Sequence, residues 1–153
     1  MTARIEVRIQ TEDFDLSAEV SALLAGLSDT GAVVTFSGLC RSEDGALAAL
    51  ELEHYPGMAE AEIRRIANEA AARWPVTALC AIHRVGRIAP GENIVLVIAS
   101  STHRQAAFDA AAFLMDFLKS RAPFWKKEHL RDGSEGGWVD AKESDEEALR
   151  RWS

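Results

Sequence analysis

Cysteine is scarce in this chain. Cys40 and Cys80 are the only two, and they form no C-x-x-C or H-x-x-x-H spacing with each other or with the four histidines. That excludes a disulfide framework and gives no sign of a zinc site, so no metal is expected. Both cysteines read as small buried hydrophobes in strands. Long apolar runs are missing too, and none approaches the roughly 20 residues needed to span a bilayer. The opening MTARIEVRIQ alternates like a strand and lacks the continuous apolar stretch of a signal peptide, which predicts a soluble, cytoplasmic protein. Positive charge is in deficit, with 17 Lys+Arg against 24 Asp+Glu and a net charge of −7. A surface this acidic repels phosphate backbones and argues against nucleic-acid binding.

What remains is 153 residues, 48% hydrophobic, with no internal repeat, low-complexity block or linker. That length suits one domain over 1–153, with an acidic tail over 141–153. Ile5 to Ile9 alternates as a half-buried strand does. Asp15 looks like the N-cap of a helix through Leu24 that stops near Gly26. The β-branched run Ala32 to Phe36 predicts a central strand, and a second strand is expected from Leu47 to Tyr55. Pro56-Gly57 leads into a helix from Met58 to Trp74, ended by Pro75. Strands near 78–85 and 93–100, joined through Pro90-Gly91, predict a hairpin. Thr102 and Gln105 have the T-x-x-Q spacing of a capping box before an Ala- and Phe-rich helix reaching Ser120. Pro123 disfavours helix at Ala122. Short strands near His129 and Trp138 precede the tail, whose segment from Glu143 reads as a short, solvated surface helix. Irregular interleaving with a hairpin favours an α+β fold with a mixed or antiparallel sheet.

Charge is placed unevenly. Residues 103–131 hold six Lys/Arg and three acids, a balance of +3 that leaves −10 for the rest. A basic island in an acidic protein suits a small anionic ligand better than a polyanion. His103 and Arg104 fall in the first turn of the predicted helix, where free N–H groups and the dipole attract anions. In the segment from Arg121 to Lys127, Phe124 and Trp125 can anchor the chain while Lys126 points into a cleft. Arg41 opens a loop at a strand end, a usual place for binding residues. Lys119 is ambiguous: the helix dipole favours a lysine at a C-terminus, and desolvation among cations would make it a base or nucleophile. His103 and Lys119 are 16 residues apart, or roughly 24 Å along one continuous helix. They cannot reach one small ligand within a single chain: either they serve different sites, or, as is expected here, a two-fold dimer brings His103 of one subunit near Lys119 of the other.

These residues fall into runs that resemble the large, catalytic subunit of molybdopterin synthase. The runs are GAVVTFSG at 31–38 followed by Arg41, LEHYPGM at 52–58, RWP at 73–75 and IHRVG at 82–86. To these add STHR at 101–104, KSRAPFWKKE at 119–128, and Trp138, Val139 and Ala141 before the tail. The resemblance covers nearly the whole chain in order and spacing. It implies an α/β hammerhead with an additional antiparallel β-sheet. The implied reaction is sulfur transfer without a cofactor: a cyclic pyranopterin monophosphate (precursor Z) becomes molybdopterin by gaining two dithiolene sulfurs. Sulfur would come as a thiocarboxylate on the C-terminal Gly-Gly of a small ubiquitin-like partner, one on each side of a central homodimer, which makes a heterotetramer. By motif, Lys119 and Lys126 would be catalytic. Leu39, Cys40, Arg41, His103, Arg104, Lys119, Lys126, Lys127 and Glu128 would bind substrate.

Two positions depart from the family pattern. Leu39 stands where a lysine is common, removing one anion contact, and Cys40 stands where an apolar residue is common. Arg41 beside Cys40 would lower the thiol pKa and invites the idea of a persulfide carrier; a partner that brings the sulfur makes this unnecessary. Gly136-Gly137 is internal, so this chain is not the thiocarboxylate carrier. Two other readings stand beside the enzyme: a non-catalytic anion-binding scaffold dimer of the same fold, and an unrelated phosphate-ester hydrolase using His103 as general acid.

Overall fold

The computed structural model describes residues 2–139 and 143–152. It contains, in chain order, β1 (Arg4–Gln10), α1 (Leu16–Leu24), β2 (Ala32–Leu39), β3 (Leu47–His54), α2 (Met58–Arg73) and β4 (Val76–Arg84). There follow β5 (Gly86–Ile88), β6 (Asn93–Ser101), α3 (Arg104–Ser120), β7 (Phe124–Leu130), β8 (Glu135–Val139) and α4 (Glu143–Arg150). The strands form two four-stranded sheets, ordered β1-β4-β6-β2 and β5-β3-β7-β8. Only β1 and β4 run parallel; every other pair is antiparallel. The α+β expectation with an added antiparallel sheet therefore holds.

Strands β4 and β6 are buried along almost their whole length because both faces of their sheet are covered. Leu79, Ala81, Val95, Val97 and Ala99 face α2 and α3, where Ile63, Ile66, Ala70, Ala110 and Leu114 meet them. The alternate residues Ala78, Cys80, Ile82, Leu96 and Ile98 face the other way, onto Leu23 and Val20 of α1. A strand covered on both sides reads as a continuous apolar run, whereas one covered on a single side alternates. The same contrast corrects the expectation of a central strand at Ala32 to Phe36. Strand β2 lies at the sheet's edge, with Val33, Phe36 and Leu39 at least 40% exposed. Its β-branched run marks strand, but its alternation marks an open face.

The hairpin between β4 and β6 exists, with one addition. Immediately after β4 the chain leaves the first sheet, and β5 pairs with β3 in the second. Val85 alone separates the two strands, and Gly86, at φ +86°, makes the turn in a region that side chains disfavour. A third apolar cluster, with Cys40, Leu47, Leu52, Val85 and Ile88, joins the sheets there.

Helix α1 is capped as expected, the Asp15 carboxylate accepting from the Ala18 N–H at 3.0 Å. The capping box at α3 does not form. The helix starts at Arg104, so His103 rather than Thr102 is the N-cap and its side chain makes no capping bond. The register is one residue later because Ser101 completes β6, and its hydroxyl donates to the His103 carbonyl. Gln105 bonds Asp109 instead, at 3.1 Å.

The acidic tail is not a solvated terminus. Helix α4 lies against α3: Arg121 pairs with Glu146 at 2.7 Å, and the Ser120 hydroxyl donates to the Asp145 carbonyl at 2.8 Å. Trp152 donates its indole N–H to Asp116 at 2.6 Å and meets Trp74 and Phe113 edge to face at 5.4 and 5.5 Å. Ala141, Lys142 and Ser153 of the expected tail lie outside the described residues.

Gly31 places the start of α3. Its N–H donates to the Ser101 carbonyl at 2.9 Å, and a β-carbon on it would collide with the Thr102 carbonyl oxygen. Gly31→Ala is therefore expected to lower unfolding free energy by about 1–3 kcal/mol in urea titration. An unchanged midpoint would mean that the backbone at Thr102 gives way freely.

Candidate active site

Where the two sheets meet the C-terminal end of α3, they enclose a cleft of about 400 Å³. The end of β2 brings Leu39, Cys40 and Arg41 to it, the last turn of α3 brings Lys119, and β7 brings Lys126 and Glu128. On β7 the period of two puts Phe124, Lys126 and Glu128 on the cleft face. Lys127, between them, points the other way and pairs with Glu135 of β8 at 2.8 Å. That hydrogen-bonded carboxylate raises the Lys127 pKa, and the lysine lowers that of Glu135.

Six of the nine residues expected to bind substrate thus share one cleft. Lys127 does not line it, and neither do His103 and Arg104. Those two are exposed at the opposite end of α3, whose 17 residues run unbroken, so the separation of roughly 24 Å stands. The chain by itself brings the lysines together and keeps the expected phosphate-binding pair away from them.

Cys40 is buried, with its sulfur 3.7 Å from the Ile88 carbonyl oxygen. Burial raises its thiol pKa, with a backbone hydrogen bond at Leu50 opposing it, and the Arg41 guanidinium is turned to Glu43 at 3.2 Å. Cys80, under α1, is pushed up to about 12 by burial. Neither thiol is built to be a nucleophile.

The cleft wall also holds a group that pattern reading passed over as part of a buried strand. His83, on β4, is 6% exposed and lies flat against Phe124, ring centroids 3.9 Å apart and planes 13° from parallel. Its Nδ1 is 2.9 Å from the Arg84 carbonyl oxygen. Burial, with the positive charges of Lys126 and Lys119 added, lowers its pKa from 6.5 to about 4. The clue in the sequence was a histidine, with Arg84 after it, closing the apolar run of a central strand, ALCAIHRV. Glu43 and, from α4, Asp145 are charged members of the lining that were not expected.

The His83 shift has a consequence for stability. Between about pH 6.5 and 4 the unfolded chain binds a proton at this imidazole that the folded chain refuses, so stability falls as pH drops through that window. The loss amounts to up to about 3 kcal/mol. His83→Phe keeps a ring against Phe124 and should lose this part of the dependence when urea unfolding is followed at pH 7 and 4.5. Parallel curves for the two proteins would show that the imidazole is not held neutral.

Comparison with known proteins places this architecture. The family model described as MoaE protein matches residues 9–121. A "Molybdopterin synthase catalytic subunit" of Mesorhizobium japonicum is 72% identical over 146 residues, covering 95% of this chain and 92% of the relative. Among solved structures, the molybdopterin biosynthesis MoaE protein from Burkholderia ambifaria MC40-6 superposes with a TM-score of 0.83 at 49% identity, with 97% of each chain covered. The molybdopterin synthase from Staphylococcus aureus superposes with a TM-score of 0.77 at 31% identity, covering 86% of this chain and 94% of that one. With its fold and nearly its full length matched by these proteins, the chain belongs to the MoaE protein family.

Proposed function

We propose that this chain is the catalytic subunit of a molybdopterin synthase, converting a cyclic pyranopterin monophosphate into molybdopterin. The observation that carries the reading is the convergence of Lys119 and Lys126, from different elements, on one cleft in a chain so similar to proteins of that name. A scaffold that kept the fold but not the activity would be expected to differ at these two lysines, and both are present. His103, as general acid of a hydrolase, stands exposed and alone at the far end of α3.

The chemistry asks for fixed positive charge. Opening the cyclic phosphate and attacking a pterin carbon with a thiocarboxylate sulfur both build up negative charge, which preorganised cations stabilise in a partly closed site. Lys119, exposed at the mouth, meets the C-terminal Gly-Gly tail of a small ubiquitin-like sulfur carrier. Lys126, half-buried, serves proton transfer or holds charged intermediates. Arg41, the Leu39-Cys40 backbone and Glu128 complete the pocket. His103 and Arg104 grip the substrate phosphate in the cleft of the sister subunit, which fits their position at the far end of a rigid helix. Lys127, turned toward Glu135, supports that surface from behind. The large subunit is thus the homodimeric core of a heterotetramer. No helix of the described residues is long and apolar enough to cross a membrane, and a pathway of soluble small molecules suits the cytoplasm.

Reconstitution tests the reading directly. This protein, a thiocarboxylated small partner and the cyclic pyranopterin should together yield molybdopterin, detected as its fluorescent oxidation product; omission of any one should yield none. Binding of partner and pterin without product would favour the scaffold. Lys119→Ala should cut turnover at least about 100-fold while leaving the dimer intact; a near-normal rate would remove Lys119 from catalysis. A mixed dimer of Arg104→Ala and Lys119→Ala subunits should regain one working site, and no recovery would mean that sites are not shared.

A further inference from the structure

We infer that the exposed edge of β2 is the surface through which two copies of this chain join, the strand pairing antiparallel with its own copy about a two-fold axis at Phe36. The inference deepens the synthase reading and rests on it for one point, that His103 and Arg104 serve the cleft of the sister subunit. Its other grounds lie in the sheet itself.

The four sheet edges are not alike. Strand β1 carries Arg4, Glu6 and Arg8, β5 is three residues long, and β8 holds Glu135 and two glycines in five residues. Charge and shortness are the usual means by which an open edge avoids pairing with another chain. Strand β2, AVVTFSGL, is eight residues long and contains neither a charge nor a proline. It also borders an apolar flank. Val33, Phe36 and Leu39 of β2 and Phe108 of α3, which packs on β2, are 40–55% exposed. Phe108 shares a stripe of α3 with Met115 and Lys119, seven and eleven residues on, and that stripe reaches the cleft beside Gly38 and Leu39. Apolar side chains along an uncharged strand edge make a surface suited to being covered.

The two ends of β2 say what covers it. The strand begins after Gly31, whose N–H donates to the Ser101 carbonyl at 2.9 Å, and so beside the start of α3 with His103 and Arg104. It ends at Leu39, from which Cys40 and Arg41 continue along the cleft that holds Lys119. Eight residues of strand span roughly 24 Å, the same distance that parts His103 from Lys119 along α3. Antiparallel pairing about a two-fold axis reverses one copy end for end. The His103–Arg104 end of each subunit then lies beside the Leu39–Arg41 end of the other. An unrelated strand laid on this edge would supply no such complement. The exposed apolar residues set the register, because they are spaced evenly about Phe36. A two-fold axis there sets Phe36 against its own copy and Val33 opposite Leu39 of the partner subunit.

The experiment measures association and contact separately, on the full-length chain. By light scattering the wild type should have twice the 16.7 kDa of one chain. The double variant Val33→Asp with Phe36→Asp places charges on the joined edge and should raise the dimer dissociation constant at least about 100-fold, with circular dichroism showing a folded chain. Under mild oxidation Phe36→Cys should cross-link to its own copy, and Glu6→Cys on the β1 edge should not; the two native thiols are buried. None of these readouts needs turnover, so a wild type that dimerises through β2 but makes no product counts against the synthase reading alone. In reconstituted synthase the double variant should lose product formation in step with the dimer. A monomeric wild type overturns the inference. So does a dimer that survives the paired aspartates, or a Phe36→Cys chain that stays uncross-linked.

Discussion

Burial of β4 and β6 from both sides is the constraint on which the rest of the molecule depends. Leu79, Ala81, Val95, Val97 and Ala99 meet α2 and α3, and Ala78, Cys80, Ile82, Leu96 and Ile98 meet α1, so a slip of either strand by one position would exchange these contacts. That register fixes the height and direction of α3. The direction of α3 in turn decides that Lys119 arrives at the junction of the sheets while His103 and Arg104 leave it. The second sheet then needs only to bring Lys126 across the gap.

Much of this could be read beforehand from local chemistry. The caps and breakers Asp15, Pro75 and Pro123 act within a few residues, and the elements they bound lie where their spacing puts them. What escaped were facts of tertiary neighbourhood. Ala32 to Phe36 has strand chemistry, but whether a strand is central depends on what lies beside it, and the edge position shows only as a weak alternation. The T-x-x-Q motif at Thr102 was overruled by the β6 ladder, which claims Ser101 and delays the helix. The three-residue β5 is too short to have a period at all. Likewise the tail looks solvated until Arg121 is found opposite Glu146, Ser120 opposite the Asp145 carbonyl and Asp116 opposite Trp152.

The site divides in the same way. The basic island was visible as a run of charge, and Lys119, Lys126 and Arg41 do reach one cleft. The alternation that aims Lys127 away from its neighbour needed the strand to be known. His83 was hidden because burial gives a histidine the appearance of core, and only the arrangement of Phe124, Arg84 and the two lysines around it gives the ring a distinct chemical state. The cleft thus sets Arg41, Lys119 and Lys126 among Glu43, Glu128 and Asp145, with the neutral His83 in its wall.

The junction at Val85 bears on how such a site admits its ligands. Domain closure usually works through several residues that share a change of backbone angles. Here one residue links β4 to β5, it is itself buried, and Gly86 is already committed to an unusual conformation. The two sheets are welded at this point rather than hinged. The shape and charge that a ligand meets at the mouth of the cleft are therefore set by how this short joint angles one sheet against the other.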